Sequence, residues 1–501
     1  DIRQGRGLDI IPSVATAASK DYRTGTSDKR FDPSLNVFYK ITPNLTGALT
    51  LNTDFSATEV DNRQVNLSRF SLFFPEKRDF FLQDVDIFSF GGRGPDSNYD
   101  TTINGIPFYS RRVGLSATGQ PIDIDAGVKL TGRVGNWNVG ALAVQQGDIP
   151  GLDGQQVFVG RATMNVLSES SVGVIFTDGD PTSPISSRLG GADFRYQNTR
   201  FTEQYSLRGN VFYQESDTDG RNGDARAYGA MLNLDTQGTG FGGTMGYDYF
   251  GEDYYPALGF ANRLGVETYY IGGRWRHFFD AHPLLRLINT VTRFEHTDRL
   301  DSGEMQSERL FVRPINLHTH LGGQLNLGGS RNREGLERDF EISPGVIIPR
   351  GKYEFVDYHL ELFASNQRPF VPSVIFKSGE FFNGDRDQVK LGMEWRPNAH
   401  IYFNWNYDVQ DISLPAGDFK VRLVSMNANY AFNSKWSWVN LIQYDNASSS
   451  VGLNSRLRFN PQAGEDLYLV ANYHFNSEGV FSHVSREKAE IALKYTRTFR
   501  Y

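Results

Sequence analysis

The 501-residue sequence contains no cysteine, so disulfides, thiolate zinc sites, cysteine nucleophiles and covalently attached c-type haem are excluded. It also lacks any apolar stretch near the roughly 18 residues that a membrane helix needs. Neither sign of charge is in large excess, because 51 Lys and Arg face 58 Asp and Glu and give a formal net charge of −7. This mild acidity gives no reason to expect nucleic acid as a partner.

Aromatic residues and glycines are abundant instead. Hydrophobic residues make up only 39% of the chain, yet aromatics reach 13%, and there are 51 glycines. Many rings and glycines on a polar background are typical of a membrane β-barrel, whose strands hide their apolar residues at every second position.

The sequence alternates with a period of two over lengths of about ten residues, which is the length that a tilted strand needs to cross a bilayer. Clear examples are 400–409 (HIYFNWNYDV), 466–475 (DLYLVANYHF) and 489–501 (AEIALKYTRTFRY). Similar segments along almost the whole chain, among them 65–74 and 106–116, predict about 26 strands, within a range of 24–26. Residues 307–328 and 337–348, in the least regular part, are also predicted as strands.

The pattern predicts an all-β fold, a large transmembrane antiparallel up-and-down β-barrel of the bacterial outer-membrane type that forms a single domain over residues 1–501. Short connections such as 135–136 alternate with longer ones such as 251–264. Since bacterial barrels have short periplasmic turns and longer outer loops, we expect both termini in the periplasm. The final strand, with Phe499 and Tyr501, resembles the C-terminal insertion signal of such barrels.

One segment, 75–105, is long and shows no alternation. Counting 65–74 as a downward strand places this insert at the periplasmic end. It cannot lie in lipid, where unpaired backbone groups cost several kcal/mol each, so we expect it to enter the lumen or cap the mouth. It is predicted either as a plug or partner-docking element or as an inert ordered turn. The candidate plug residues lie at its start: Pro75, Glu76, Lys77, Arg78, Asp79, Phe80 and Phe81.

Several stretches resemble a family of bacterial outer-membrane proteins of unknown function. They are NLSRFSLFFPEKRDFFLQ at 66–83, IPFYSRRVGL at 106–115 and GVKLTGRVGNWNVGAL at 127–142, with further similarity at 5–14, 258–263 and 453–462. In that family the barrel usually follows an N-terminal domain similar to family 9 carbohydrate-binding modules. We expect that domain to be cleaved, deleted or outside this sequence. The resemblance implies an outer-membrane barrel and implies little about its biochemistry.

Basic and aromatic side chains offer further candidate sites. Arg111 and Arg112, with Lys129 and Arg133, form a basic group that either lines a constriction attracting anions or bonds carboxylates of the insert. The candidate carboxylates are Glu76, Asp79, Asp84 and Asp86. The long loop after residue 250 carries Tyr254, Tyr255 and Phe260, which either stack on sugars or belong to the aromatic belt at the membrane boundary.

Catalytic signals are weak. His318 and His320 share a strand face but lack a third ligand at useful spacing, so they are predicted as polar wall residues rather than a metal site. No nucleophile elbow, zinc-protease motif or P-loop occurs, and no cofactor is predicted. We expect a porin-like transport channel for a saccharide or other small solute. The alternative is a scaffold barrel around a periplasmic or lumen-docked protein, and an enzyme is the remote third class.

Overall fold

The computed structural model describes residues 7–53, 60–94, 103–116, 119, 121–478 and 483–501. Most of them belong to one antiparallel sheet of 25 strand segments, which closes through pairing of its first and last strands. The last segment, Phe499–Arg500, continues the strand before it, so the wall is a ring of 24 strands in chain order. The predicted all-β barrel and its strand range are confirmed.

The wall strands fall into two runs in chain order, β1 to β15 and β18 to β27, separated by one hairpin. Strands β1 to β12 are Leu8–Asp21, Ser27–Thr42, Leu45–Thr53, Ile124–Val134, Trp137–Gln146, Gln156–Val166, Ser170–Asp178, Ser187–Asn198, Tyr205–Thr218, Arg226–Thr236, Gly240–Phe250 and Val266–Phe278. Strands β13 to β15 are Leu285–Arg299, Met305–Thr319 and Gln324–Leu336, and the hairpin outside the wall is β16 (Phe340–Ser343) and β17 (Val346–Ile348). Strands β18 to β27 are Gly351–Phe363, Phe370–Phe381, Gly384–Asn398, Ile401–Leu414, Gly417–Ala431, Trp436–Asp445, Ser450–Gln462, Glu465–Glu478, His483–Arg497 and Phe499–Arg500.

Helical structure is confined to short turns among the described residues. These are α1, Asp79–Leu82, and two 3₁₀ turns, Val85–Phe88 and Ser110–Arg112. None of the helices in the described ranges has the length and apolarity to cross a membrane.

The alternation in the sequence corresponds to the two faces of the wall. In β21, Asn404 and Trp405 are paired with Asn427 and Met426 of β22, so polar side chains stand together on one face and apolar ones on the other. Because successive side chains of a strand point to opposite faces, this register puts the polar set toward the lumen. The predicted faces of this segment are confirmed.

The outer surface has a membrane-spanning profile. Mid-strand outward residues are apolar and exposed, as for Val174 at 54% and Ile271 at 53%. Exposed rings gather around the end of the barrel that carries both chain termini: Tyr39, Trp137, Phe241, Phe370, Trp395, Tyr430, Trp436, Trp438 and Tyr501. A second group of tyrosines lies outward near the other end, where Tyr228 stacks on Tyr249 and Tyr247 contacts Tyr269. An apolar band between two aromatic belts is typical of outer-membrane barrels.

We call the end with both termini the terminal end and the opposite end the loop end. Connections at the terminal end are short, as at 135–136 and 463–464, and several at the loop end are long, as at 251–265 and 337–350. The predicted alternation of connection length is therefore present, although some loop-end turns, such as 415–416, are also tight.

The predicted strands 65–74 and 106–116 are wrong. Strand β3 pairs directly with β4, from Leu45 opposite Gly132 to Thr53 opposite Ile124, so the chain between them leaves the wall. The insert is thus longer than predicted, 54–123, and it starts and ends at the loop end. Counting the two absent strands placed the insert at the end that carries both termini, and the direct pairing of β3 with β4 places it at the opposite end. Residues 95–102 of the insert lie outside the described ranges.

Local side-chain bonds explain why these stretches do not join the sheet. The Asn66 amide donates to the carbonyl of Phe70 at 2.7 Å and accepts from the backbone N–H of Ser68 at 3.0 Å. Such short-range bonds satisfy backbone groups that would otherwise need a strand partner. In 106–116, the 3₁₀ turn at Ser110–Arg112 and the positive φ of Gly114 interrupt the extended backbone.

The irregular region after residue 305 differs from the prediction in detail. The expected strand 307–328 is split by a turn at 320–323 into β14 and β15. The expected strand 337–348 is the β16–β17 hairpin, which packs its apolar residues inside the loop end of the barrel instead of extending the wall. The predicted 26 strands lose two in the insert and one at the β16–β17 hairpin, and the split of 307–328 adds one, which gives the 24 strands of the wall.

Candidate functional site

The first part of the insert lies in the lumen against β3 to β6. Phe80 and Phe81 are 6% and 4% exposed, and their rings meet edge to face at 5.2 Å. They share an apolar cluster with inward-facing wall residues: Ala48, Ile124, Leu142, Val144, Val157 and Val159. A neutral apolar lining is unusual for a water-filled channel, and here the insert covers it.

The insert then crosses toward β7 to β12. Phe90 packs with Phe212 at 6.2 Å, in a second cluster that contains the loop residue Tyr254. The backbone at Gly91 and Gly105 has positive φ and lies so close to Phe212 and Phe250 that an added Cβ would collide with their rings. Glycine is therefore required at these two contact points. We call the wall from β3 to β12 the filled side.

Glu76 is the centre of the charged motif in the insert. One carboxylate oxygen accepts from the backbone N–H groups of Lys77 and Arg78, each at 2.9 Å, and the other accepts from Arg78 Nη2 at 2.7 Å and Ser110 Oγ at 2.6 Å. Burial by itself would raise the pKa of Glu76, but the hydrogen bonds and charge of Arg78 and the Ser110 hydroxyl outweigh it and lower the pKa from 4.5 to about 2. The carboxylate is therefore ionised at neutral pH.

Arg78 links the two arms of the insert. Its Nη1 donates to the carbonyl of Val113 and its Nη2 to that of Ser110, both at 2.7 Å. The guanidinium also lies 4.3 Å from the centre of the Phe81 ring. The charged motif between the pairs Phe73–Phe74 and Phe80–Phe81 thus cross-links Glu76 and Arg78 to residues 110–113. Asp79 is exposed at the first position of α1.

The four basic residues singled out in the sequence do not form one group. Arg111 pairs with Asp61 and donates to the carbonyl of Pro75 at 3.2 Å, whereas Arg112 reaches the carbonyl of Ala257 at 3.4 Å. Arg133 lies at the terminal end of β4 and bonds Asn138 at 3.0 Å. Arg111 therefore bonds within the insert and Arg112 bonds the loop 251–265. In the described residues, neither side chain bonds the expected carboxylates Glu76, Asp79, Asp84 and Asp86.

Lys129 also fixes the insert, from the wall. Its Nζ donates to the backbone carbonyls of Phe80 and, at 2.7 Å, Gln83. Thr131 on the same face donates to Asp84 at 2.6 Å. Lys77 of the motif donates to the carbonyl of Val60 at 2.8 Å.

Two buried ion pairs that sequence reasoning missed attach the insert to the filled side. Arg93 pairs with Asp248 of β11, with side chains 4% and 0% exposed. Arg161 of β6 pairs with Asp193 of β8 at 2.6 Å, and the same carboxylate accepts from the backbone N–H of Gly91 at 3.0 Å. The sequence signal for these pairs was a charged residue at an inward position of a wall strand. It was insufficient because the partner of each residue lies in a distant segment of the sequence.

The insert also reaches the opposite side near the loop end. Arg63 donates to Ser450 O at 2.8 Å, and Arg69 pairs with Glu334 of β15 at 2.7 Å. Val65 and Leu67 pack against the cluster formed by the β16–β17 hairpin with the ends of β18 to β22. These contacts carry the insert across the full width of the barrel.

The loop aromatics point inward. Tyr254 is fully buried and Phe260 is 8% exposed. Ile106 and Phe260 form an antiparallel backbone bridge, and the Phe260 ring meets Phe73 of the insert edge to face at 5.4 Å. Tyr255 donates to Asp180 at 3.0 Å. Neither sugar stacking at an exposed loop nor a place in the membrane belt fits this position, because the insert covers the rings.

The wall from β13 to β26, which we call the polar side, has a different lumen face. Inward asparagines form hydrogen-bonded pairs, such as Asn454 to Asn472 at 2.6 Å and Asn406 to Asn404 at 2.6 Å. His318 bonds Asn316 here, while His320 bonds a backbone carbonyl in a terminal-end turn, so the two histidines do not converge.

Residues 6–133 match a family described as domain of unknown function (DUF5916). This stretch runs from β1 into β4 and includes the insert. No curated protein matches the chain. The link to a carbohydrate-binding-like domain remains a prediction.

Solved structures of several receptors are similar in fold. One is a mutant of the ferric enterobactin receptor of Pseudomonas aeruginosa, with 8% identity, a TM-score of 0.47, and coverage of 99% of this chain and 82% of that chain. Another is the ferric yersiniabactin uptake receptor of Yersinia pestis, with 10% identity, a TM-score of 0.41, and coverage of 97% and 80%. A third is a siderophore receptor of Acinetobacter baumannii, with 8% identity, a TM-score of 0.42, and coverage of 99% and 82%.

The barrel itself defines the class of protein. A closed ring of 24 antiparallel strands with an apolar outer band between two aromatic belts is a transmembrane β-barrel of the outer-membrane type.

Proposed function

We propose that the protein is an outer-membrane transport channel for a small solute, in which the insert 54–123 is the plug. The observation that supports this most directly is the buried attachment of the insert to the lumen wall through Arg93–Asp248 and Gly91–Asp193. A ring of 24 strands encloses more space than the 16 to 18 strands that already leave an aqueous channel. Because the insert fills one side of that space, a solute that crosses the barrel is confined to the polar side of the lumen, along β13 to β26.

The lengths of the connections support a proposed orientation. With both termini and the short turns in the periplasm, the insert enters from the extracellular side. The β16–β17 hairpin and the loop 251–265 then lie beside it at the extracellular mouth. The exposed outward rings of Phe499 and Tyr501 on the closing strand fit the proposed insertion signal.

Removal of the plug tests the proposal. Because Thr53 and Ile124 are directly paired, an Asn-Gly turn can join them and replace 54–123 without a change of register. In planar bilayers we expect small or no current from the full chain and large steps from the deleted barrel. Replacing 22–25 by the same turn, in the neighbouring β1–β2 hairpin, is the matched control and leaves the current low.

Equal currents from the full chain and the deleted barrel contradict a plug. Large current in both favours the scaffold alternative, with a partner protein as the stopper in the cell. Proteins that co-purify with the full chain then identify that partner.

A further inference from the structure

The polar side carries a concentration of cationic side chains beneath the loop-end cover. Three guanidinium groups surround the Phe311 ring: Arg293 at 5.7 Å, Arg309 at 5.5 Å and Arg313 at 5.3 Å from its centre. The ring of His359 is also stacked on Phe311, with the ring centres 5.4 Å apart and an angle of 4° between the ring planes. Inward positions of β13, β14 and β18 therefore converge on one ring.

Two more cations lie on the adjacent strands. Lys377 of β19 is the register partner of His359, and Arg386 of β20 lies one pair of residues further toward the loop end, over the Phe381 ring at 4.5 Å. Both side chains are partly buried. Within the described part of the chain, neither has a carboxylate at ion-pair distance or a hydrogen-bond acceptor.

The carboxylates of this band do not balance its cations. The band holds five cations, the three arginines around Phe311 together with Lys377 and Arg386, against Glu295, Asp357 and Glu361 on the same inward faces. Glu361 is taken up by Arg313, at 3.2 Å, and Asp357 accepts from Asn332 at 2.9 Å. The neighbouring pair Lys390–Asp408, at 2.9 Å, is neutral as a unit. Partly buried charges are normally paired, so the excess of two cations calls for a counter-anion.

We infer that this band is a binding site for a small solute that bears two or more oxyanion groups, carboxylate or phosphate. The inference rests on the proposed function for the route of the solute and deepens it by assigning the charge of the cargo. The cover formed by Val65, Leu67 and the hairpin packs on Phe355 and Phe381, immediately on the loop-end side of the band. A solute that enters from the loop end therefore meets these cations directly after passing the cover. Two guanidinium or ammonium groups can each form a charge-assisted bond with one oxyanion group.

The site is tested by equilibrium binding to the purified full chain in detergent, with citrate and inorganic phosphate as probes and maltose as the neutral comparison. Calorimetry is expected to show citrate binding by the wild-type protein and a loss of at least about tenfold in affinity in the Lys377→Gln/Arg386→Gln double variant. Lys390→Gln, which removes an already neutralised cation on the neighbouring rung, leaves the affinity within about twofold. Phosphate binding weaker than citrate binding supports a carboxylate-bearing cargo, and the reverse supports a phosphorylated one.

Absence of citrate and phosphate binding by the wild-type protein overturns the inference. Equal loss in Lys390→Gln also overturns it, because the affinity would then report only the general charge of the lumen. Heat-modifiable migration on gels confirms that each variant is a folded barrel. The measurement needs no current, so a failure of the plug experiment leaves this result standing, and a failure here leaves the plug intact.

Discussion

The filled side and the polar side are built from the same strand pattern, yet their lumen faces differ in chemistry. On the filled side, inward positions hold apolar residues such as Leu142 and Phe212, and Asp248 is buried in an ion pair with the insert. On the polar side, inward positions hold asparagines and partly exposed charges. The inward side chains of a barrel strand therefore match their surroundings. They are apolar where the insert covers them and polar where water reaches them.

The energetics of the two sides should differ in the same way. Breaking a buried contact of the insert removes apolar packing or leaves a buried charge without its partner. A hydrogen bond on a wet wall is replaced by water at little cost. Substitutions at the buried insert contacts of the filled side should thus loosen the insert strongly, and substitutions on the polar side should change little except solute binding.

The largest effect is expected for Arg93→Ala. It leaves Asp248 fully buried without its partner, which should lower the free energy of opening of the insert by about 3–5 kcal/mol. Hydrogen exchange of the amides in 85–94 measures this, while the barrel remains closed. The control is Arg188→Ala, which removes an exposed pair with Asp178 on the filled side and is expected to change nothing measurable. Equal exchange in Arg93→Ala and wild type would show that the insert is not fixed by this pair.

Acid should loosen the insert next. The pKa of Glu76 is lowered from 4.5 to about 2, so its contribution to stability is complete above pH 4.5 and is lost as the pH falls through about 2. This contribution amounts to about 3 kcal/mol. Peptic cleavage of the insert in the wild-type barrel should accelerate across that window. Glu76→Gln should be cleaved faster at pH 4.5 and converge with wild type near pH 2, and a constant difference between them would contradict the assignment.

A smaller effect is expected on the polar side. Asn454→Ala removes an amide donor to Asn472, and because water replaces it, the barrel should lose only about 1 kcal/mol. The midpoint of thermal unfolding in detergent should fall slightly. Hydrogen exchange of the insert amides should match that of the wild type. Faster exchange of these amides would contradict the energetic independence of the filled side and the polar side.

The period-two pattern was sufficient to predict the barrel because successive side chains of every wall strand face lipid and lumen in turn. It failed where a segment satisfied its backbone locally, as Asn66 and Ser68 do, since alternation alone does not show whether a strand has neighbours. Two false strands then reversed the direction of the chain at the insert. This reversal placed the insert at the end that carries both termini, whereas the chain leaves and rejoins the wall at the loop end. The sequence predicted an irregular segment here and left open whether it enters the lumen or caps the mouth.

The candidate site was predicted in part. The motif around Glu76 and Arg78 was found because five charged or helix-breaking residues stand between Phe pairs. The pairs Arg93–Asp248 and Arg161–Asp193 were not, because Arg93 lies in the insert far from β11 in the sequence and Arg161 and Asp193 lie on strands separated by β7. The same limit explains why Arg111 and Arg133 were grouped, since their proximity was inferred from the false strand 106–116.

Substitutions of Arg111 and Arg133 are therefore expected to have the smallest effects, and they compare a residue of the insert with a residue of the wall. Arg111 is half-buried against Asp61 and the Pro75 carbonyl, so Arg111→Ala should lower the free energy of opening of the insert by about 1 kcal/mol. Arg133 is exposed at the terminal end, and within the described chain its side chain bonds only Asn138, so Arg133→Ala should leave insert exchange unchanged. If both arginines belonged to one group beside the insert, the two substitutions would instead accelerate exchange of the insert amides by similar amounts. Since the unplugged barrel lacks Arg111 altogether, any anion selectivity that it shows must come from the wall, and Arg133→Ala measures how much of it lies outside the band around Phe311.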